Sequence, residues 1–137
     1  MKKSILLLTV VFTTLFSCSK SDDNSSQTQA SIIGKWKLQS SSNGTLSNCI
    51  LDNSTYQFFA NNTAIETDGH LSGSNCVQST YNETYIFNNN ILSITELNAN
   101  GTVNSQYSYT VTELTSSTLK LKYAPNNNVI LTYSKVN

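Results

Sequence analysis

The chain has 137 residues, and its eight lysines balance its eight acidic residues, so the formal net charge at neutral pH is zero. This length is enough for one domain of ordinary size. With no arginine and no cluster of lysines, the chain lacks the positive surface of a nucleic-acid-binding protein, so we expect no nucleic-acid partner.

The first 17 residues have the pattern of a cleavable signal peptide. Lys2 and Lys3 give a positive start, and residues 5–16 form a largely apolar stretch of 12 residues. That stretch is shorter than the roughly 20 residues that a membrane-spanning helix needs. The small residue Ser17 stands where a cleavage site belongs. We therefore assign residues 1–17 as a signal peptide and exclude them from the fold.

Residues 15–18, Leu-Phe-Ser-Cys, resemble the lipobox of bacterial lipoproteins. The resemblance implies cleavage before Cys18 and fatty acylation of Cys18, with palmitate as a typical acyl chain. Residues 18–30 are polar and predict a flexible tether. The Asp22-Asp23 pair in this tether resembles the surface-export signal of Bacteroidota lipoproteins, although a plain solvated spacer has the same composition. We expect an outer-membrane, cell-surface lipoprotein that contacts the membrane through its lipid anchor; an ordinary secreted protein is the alternative.

Two cysteines remain once Cys18 is lipidated. They are Cys49 and Cys76, and an even pair in an oxidising compartment predicts one disulfide. Such a bridge would stabilise the fold by roughly 3–4 kcal/mol in the chain-entropy description.

The remainder of the chain alternates apolar and polar residues with a period of two, as in half-buried strands. Residues 119–123, Leu-Lys-Leu-Lys-Tyr, show the pattern most clearly, and Asn-rich turn signals separate the segments. No helical period is evident after residue 31. The pattern predicts an all-β, up-and-down antiparallel barrel of about eight strands, near residues 35–42, 54–60, 63–68, 81–88, 91–97, 103–113, 118–124 and 128–135.

Residues 31–137 resemble a lipocalin-like β-barrel domain of the small Bacteroidota lipoprotein type. The resemblance rests on Gly34 and Trp36 in a Gly-x-Trp opening, on the order of the cysteines and aromatic strands, and on the closing Tyr-x-Lys-Val. It implies that Trp36 plugs one end of the barrel. In lipocalins an arginine stacks over this tryptophan; here Lys135 would have to make that cation–π contact.

The sequence offers no convincing catalytic constellation, so we expect no enzyme, no cofactor and no metal site. The single histidine, His70, follows Asp68-Gly69 in what we interpret as a turn, and two alternating acids beside it are too few to hold zinc. Four glutamates could in principle supply a carboxylate pair. They are Glu66, Glu83, Glu96 and Glu113, and we interpret most of them as outward-facing and solvated.

The seven tyrosines all fall in the strand region and are the main functional signal. A tyrosine supplies apolar area and a hydroxyl that needs a partner when buried. Lining an open barrel end, they would suit a small, partly apolar ligand of a monomeric binding protein. We select Tyr56, Tyr85, Tyr107 and Tyr109 as ligand-binding candidates. The alternative is a fully packed barrel that serves as a scaffold for protein–protein interaction.

Overall fold

A computed structural model describes residues 30–125 and 129–137. The predicted signal peptide, Cys18 and all of the predicted tether except Ala30 lie outside the described residues. Within the described part of the chain, no helix has the length and apolar character needed to cross a membrane.

Eight antiparallel strands form one closed barrel, in which neighbours along the chain are neighbours in space and β8 pairs with β1. This arrangement confirms the predicted up-and-down barrel. One short helix, α1, follows the first strand. The elements are β1 (Gly34–Ser41), α1 (Asn48–Asn53), β2 (Thr55–Phe58), β3 (Thr63–Ser72), β4 (Asn75–Asn88), β5 (Ile91–Leu97), β6 (Val103–Leu114), β7 (Thr118–Tyr123) and β8 (Ile130–Val136).

The hairpin between β3 and β4 is longer than the sequence predicted. β3 was expected to end near residue 68 and β4 to begin near residue 81, yet the two strands pair as far as Ser72 and Asn75. His70 therefore lies within a strand, opposite Val77, and its assignment to a turn is wrong. The turn falls instead at Gly73, which has φ of 64°. Residues 71–76 are exposed, so they carry no apolar alternation to mark them as strand.

Helix α1 was not predicted. Ser47 caps it by accepting a hydrogen bond from the backbone of Ile50, and the Asn53 side chain donates to the carbonyl of Cys49 at 2.8 Å. With only six residues, the helix is too short to show a helical period in the sequence. Leu46 and Ile50 pack against the barrel core, so helix α1 covers part of the barrel on the β1–β3 side.

The disulfide between Cys49 and Cys76 is present, as predicted, and joins helix α1 to the start of β4. The helix also approaches β3 closely at Gly69. A Cβ atom at Gly69 would lie 2.6 Å from the carbonyl oxygen of Cys49 and 2.7 Å from the Cβ of Asn53. Glycine is therefore needed here so that the helix can rest against the strand.

Trp36 closes one end of the barrel. The side chain is fully buried, and its indole N–H donates to the carbonyl of Ile32 at 2.7 Å. The Nζ of Lys135 lies 4.8 Å from the Trp36 ring centroid, so lysine makes the expected cation–π contact. Gly34 leaves room for it, since a Cβ there would lie 2.7 Å from the Cε of Lys135. The barrel core next to Trp36 is packed with large apolar side chains: Tyr56, Phe58, Leu92, Ile94, Leu119 and Leu121.

Candidate functional site

A cavity of about 600 Å³ occupies the end of the barrel opposite Trp36. β1 begins at the Trp36 end, so the antiparallel order brings the end of β5 and the beginning of β6 to the opposite end. Residues from these segments, Glu96 and Asn104, line the cavity. The cavity therefore belongs to the open end of the barrel, above the packed core.

The cavity has two chemically different walls. One wall comes from β3, β4 and β5 and carries carboxylates together with one tyrosine: Glu66, Asp68, Tyr81 and Glu96. The other comes from β6, β7, β8 and the residue before β8, and it is largely aromatic and aliphatic: Tyr107, Tyr109, Tyr123, Val129 and Leu131. Such a site matches an amphipathic molecule, because ligand pockets combine apolar area with a few placed polar groups.

Glu83 lies in the barrel interior near this site and is only 2% exposed. Its two carboxyl oxygens each accept a hydrogen bond of 2.5 Å, one from the hydroxyl of Tyr56 and one from that of Tyr107. The expectation that Glu83 faces solvent is wrong. On β4 it shares a face with Tyr81, Tyr85 and Phe87, and the tyrosine donors supply the partners that a buried carboxyl requires.

Burial raises the pKa of both interior carboxyl groups. The pKa of Glu66 is raised to about 7, chiefly by burial and further by the nearby carboxyls of Glu83 and Asp68. The pKa of Glu83 is also raised by burial, although its two tyrosine hydrogen bonds act in the opposite direction. The Tyr107 hydroxyl oxygen lies 3.4 Å from Oε2 of Glu66 and 2.5 Å from Oε1 of Glu83. Because the hydroxyl has a single proton to donate, the shorter contact identifies Glu83 as its acceptor.

The other two glutamates differ from each other. Glu96 lines the cavity and accepts hydrogen bonds from Asn104 at 2.7 Å and from Ser105 at 2.8 Å, so it too departs from the outward-facing expectation. Glu96 lies on the same face of β5 as the buried residues Leu92 and Ile94. Glu113 forms an ion pair of 2.7 Å with Lys120, and both side chains are 39% exposed, as expected for an outer-face pair.

The four selected tyrosines do not form one group. Tyr107 and Tyr109 line the cavity, with ring centroids 5.7 Å apart. Tyr56 is fully buried in the core and does not line the cavity, but its hydroxyl contacts Glu83 and lies 3.3 Å from the hydroxyl of Tyr107. Tyr85 is not among the cavity-lining residues; it donates to the carbonyl of Phe59, beyond the end of β2, and packs on Phe58.

Two tyrosines that line the cavity were not among the ligand-binding candidates selected from the sequence. Tyr81 and Tyr123 also line the cavity, and the rings of Tyr109 and Tyr123 lie 5.5 Å apart. Tyr123 continues the alternation of Leu119 and Leu121, and this position in the pattern is the signal that could have identified it. Tyr81 shares a face with Tyr85 on β4 in the same way.

The described residues 30–125 and 129–137 contain no group of three or more His, Cys, Asp or Glu side chains placed to hold a metal ion. His70 lies beside Asp68 at 3.9 Å between Nδ1 and Oδ2. The cavity lining presents carboxyl groups, hydroxyl groups and aromatic rings.

Comparison with known proteins identifies relatives of the barrel. The family described as a lipocalin-like domain matches residues 32–121. No curated protein matches the chain. A lipocalin-like protein from Bacteroides uniformis, with a solved crystal structure, has 21% identity and a TM-score of 0.56, over 76% of this chain and 97% of that one. An uncharacterized protein from Bacteroides eggerthii has 16% identity and a TM-score of 0.54, over 76% and 98%. At these identities the two structures show a shared fold.

Proposed function

Because the chain belongs to the lipocalin-like domain family, whose barrel is a scaffold for binding proteins, we propose that it is a non-enzymatic lipoprotein that binds a small, partly apolar ligand at the open end of its barrel. The cavity of about 600 Å³ is the observation that carries this proposal. Its volume falls in the range of about 300–1,000 Å³ that is usual for small-molecule sites.

The cavity also favours a binding protein over the alternative of a packed interaction scaffold. A scaffold barrel needs close packing along its whole length, because its binding surface lies outside. Here the core is closely filled around Trp36, Tyr56, Phe58 and the aliphatic side chains beside them, whereas the opposite end is open.

A calorimetric titration tests the binding site. The full-length protein is titrated with 2-(2-naphthyl)ethanol, a neutral molecule with an aromatic body. Val129→Trp places a large ring at the cavity and is expected to weaken binding by about tenfold or more, because it occupies part of the volume. Ile86→Trp adds the same ring on the outer face of β4, where Ile86 is 71% exposed, and is expected to bind as the parent does.

An equal loss in both variants, or no binding by the parent protein, would contradict the proposal. Thermal unfolding of each variant shows whether the barrel is intact, so a loss of binding with an unchanged unfolding temperature is assigned to the cavity.

The membrane part of the proposal rests on the sequence around Cys18. We place the protein in the outer membrane, held by acyl chains on Cys18 and exposed at the cell surface, as a monomer. Metabolic labelling with an alkyne fatty acid should mark the parent protein and leave Cys18→Ala unlabelled. Protease treatment of intact cells should remove the barrel if it faces outward. Labelling that persists without Cys18 would exclude this anchor.

A further inference from the structure

Acidic side chains are concentrated at the cavity. Of the six acidic residues in the described ranges, three line the cavity and Glu83 lies in the interior near them. The three that line it are Glu66, Asp68 and Glu96, all from adjacent strands.

No described lysine shares this site. Lys37 pairs with Asp52 at 3.3 Å, Lys120 pairs with Glu113, and Lys135 lies over Trp36 at the closed end. The two other described lysines, Lys35 and Lys122, are also absent from the cavity lining. The carboxyl groups of the cavity therefore have no lysine partner in the part of the chain that the structure describes. His70, whose Nδ1 lies 3.9 Å from Oδ2 of Asp68, carries a positive charge beside them only when it is protonated.

Aromatic rings face the same space. Tyr109 lies between Tyr107 and Tyr123, with ring centroids 5.7 Å and 5.5 Å away. The face of a tyrosine ring carries negative potential and attracts cations, and clustered rings recognise ammonium groups in this way. Val129 and Leu131 extend the aromatic wall with aliphatic surface that suits an uncharged body.

We propose that the cavity selects molecules that carry a positively charged nitrogen on an apolar body. This inference rests on the proposed binding function and names its ligand class, a small aliphatic or aromatic amine. The ammonium group lies toward the carboxyl wall of β3–β5, and the apolar body lies against the tyrosines and aliphatic side chains of β6–β8. A carboxylate ligand is disfavoured, because it would meet the like charge of Glu66, Asp68 and Glu96 with no lysine in the cavity lining.

The surroundings of Glu66 couple this selection to pH. The carboxyls that act on it are Glu83, Asp68 and Glu96, and the hydroxyls are Tyr56, Tyr107, Tyr109 and Tyr133. None of these groups is cationic; the one basic side chain on β3 is His70, whose Nδ1 lies 3.9 Å from Oδ2 of Asp68. A bound ammonium would favour the ionised form of Glu66, whose pKa is raised to about 7 without ligand. Amine affinity should therefore rise between pH 6 and pH 8, while the amine itself stays charged.

The test compares three probes with the same aromatic body at pH 8: 2-(2-naphthyl)ethylamine, 2-(2-naphthyl)ethanol and 2-naphthylacetate. Each is titrated by calorimetry into the full-length protein. We expect the amine to bind about tenfold tighter than the alcohol, and the acetate to bind more weakly than both. Glu66→Gln should remove most of the preference for the amine, measured as the ratio of amine affinity to alcohol affinity in the same variant.

Glu113→Gln is the matched control, since it neutralises a glutamate outside the cavity, and it should keep the full preference for the amine. If the alcohol binds as tightly as the amine, the charge selection is wrong while binding in the cavity stands. If no probe binds, both the selection and the proposed binding function fail. If Glu66→Gln and Glu113→Gln lose the preference equally, the carboxyl wall is not its source.

Discussion

The hydroxyl of Tyr107 on β6 donates a hydrogen bond of 2.5 Å to Glu83 on β4, two strands away around the barrel. Tyr56 on β2 donates to the other carboxyl oxygen of Glu83. These three residues form a polar layer between strands that do not pair with each other. Trp36, Phe58 and the aliphatic core are buried in the barrel, and the cavity at the open end is lined in part by Tyr107.

Tyr107→Phe is expected to destabilise the protein by about 1–3 kcal/mol, because Glu83 would keep its burial and lose one of its two donors. Chemical denaturation at neutral pH measures the change. Tyr81→Phe is the control: Tyr81 also lines the cavity, but its hydroxyl has no hydrogen bond among the described residues, so the loss should be small. Equal effects from the two substitutions would show that the polar layer adds no particular stability.

The stability of the ligand-free protein should fall as pH rises from about 4.5 to about 7. The pKa of Glu66 is raised from 4.5 to about 7, and that of Glu83 is raised as well, so the folded state binds more protons than the unfolded state in this window. Protons bound preferentially to the folded state stabilise it, and this contribution is lost as the groups ionise.

Glu66→Gln should flatten this pH profile and raise the free energy of unfolding at pH 8 by about 1–3 kcal/mol. Glu113→Gln should keep the slope of the parent protein. Denaturant titrations at several pH values give the profile. A free energy of unfolding that increases with pH through this range would contradict the raised pKa values.

Gly69→Ala is expected to destabilise the barrel by about 1–3 kcal/mol, because the new Cβ would overlap the carbonyl of Cys49 and force helix α1 away from β3. Thr67→Ala, on the same strand, adds no atom and should cost less. Thermal unfolding measures both. The rate at which a reductant opens the Cys49–Cys76 bridge gives a second readout, since displacement of the helix should expose that disulfide. An unchanged reduction rate together with unchanged stability would show that the helix tolerates the added methyl.

Lys135→Met should cost about 1 kcal/mol, because it removes the cation above Trp36 and the hydrogen bond of 2.8 Å from Lys135 to the carbonyl of Ile33. Lys122→Met makes the same substitution on β7, away from Trp36, and should have little effect. Since Trp36 is the only tryptophan, its fluorescence reports directly on the closed end. An emission spectrum identical to that of the parent protein, with no loss of stability, would contradict a stabilising contact.

The sequence predicted the barrel well, because its strands alternate apolar and polar residues wherever one face is buried. The sequence prediction failed where neither face of a strand is buried and where an element is too short to show a period. The outer part of the β3–β4 hairpin around residues 71–76 is exposed on both faces, and helix α1 is too short to show a period.

The acidic side of the cavity was missed for a different reason. Glu83 was interpreted as an outward residue because the apolar members of its strand pattern were assigned to the opposite face, whereas Tyr81, Tyr85 and Phe87 share its face. Only the contacts with Tyr56 and Tyr107, which come from distant strands, make its burial possible. Tyr107 and Tyr109 were identified because they alternate with polar residues along β6, whereas the shared position of Glu66, Asp68 and Glu96 depends on three-dimensional packing.

Native mass spectrometry of the full-length protein purified from the cells that produce it tests the binding function most directly. We expect a fraction of the protein to carry one small molecule that contains an amine nitrogen, and we expect Val129→Trp to lose it while Ile86→Trp retains it. A parent protein that is always free of small molecules, or one whose bound molecule survives Val129→Trp unchanged, would contradict binding in the open-end cavity.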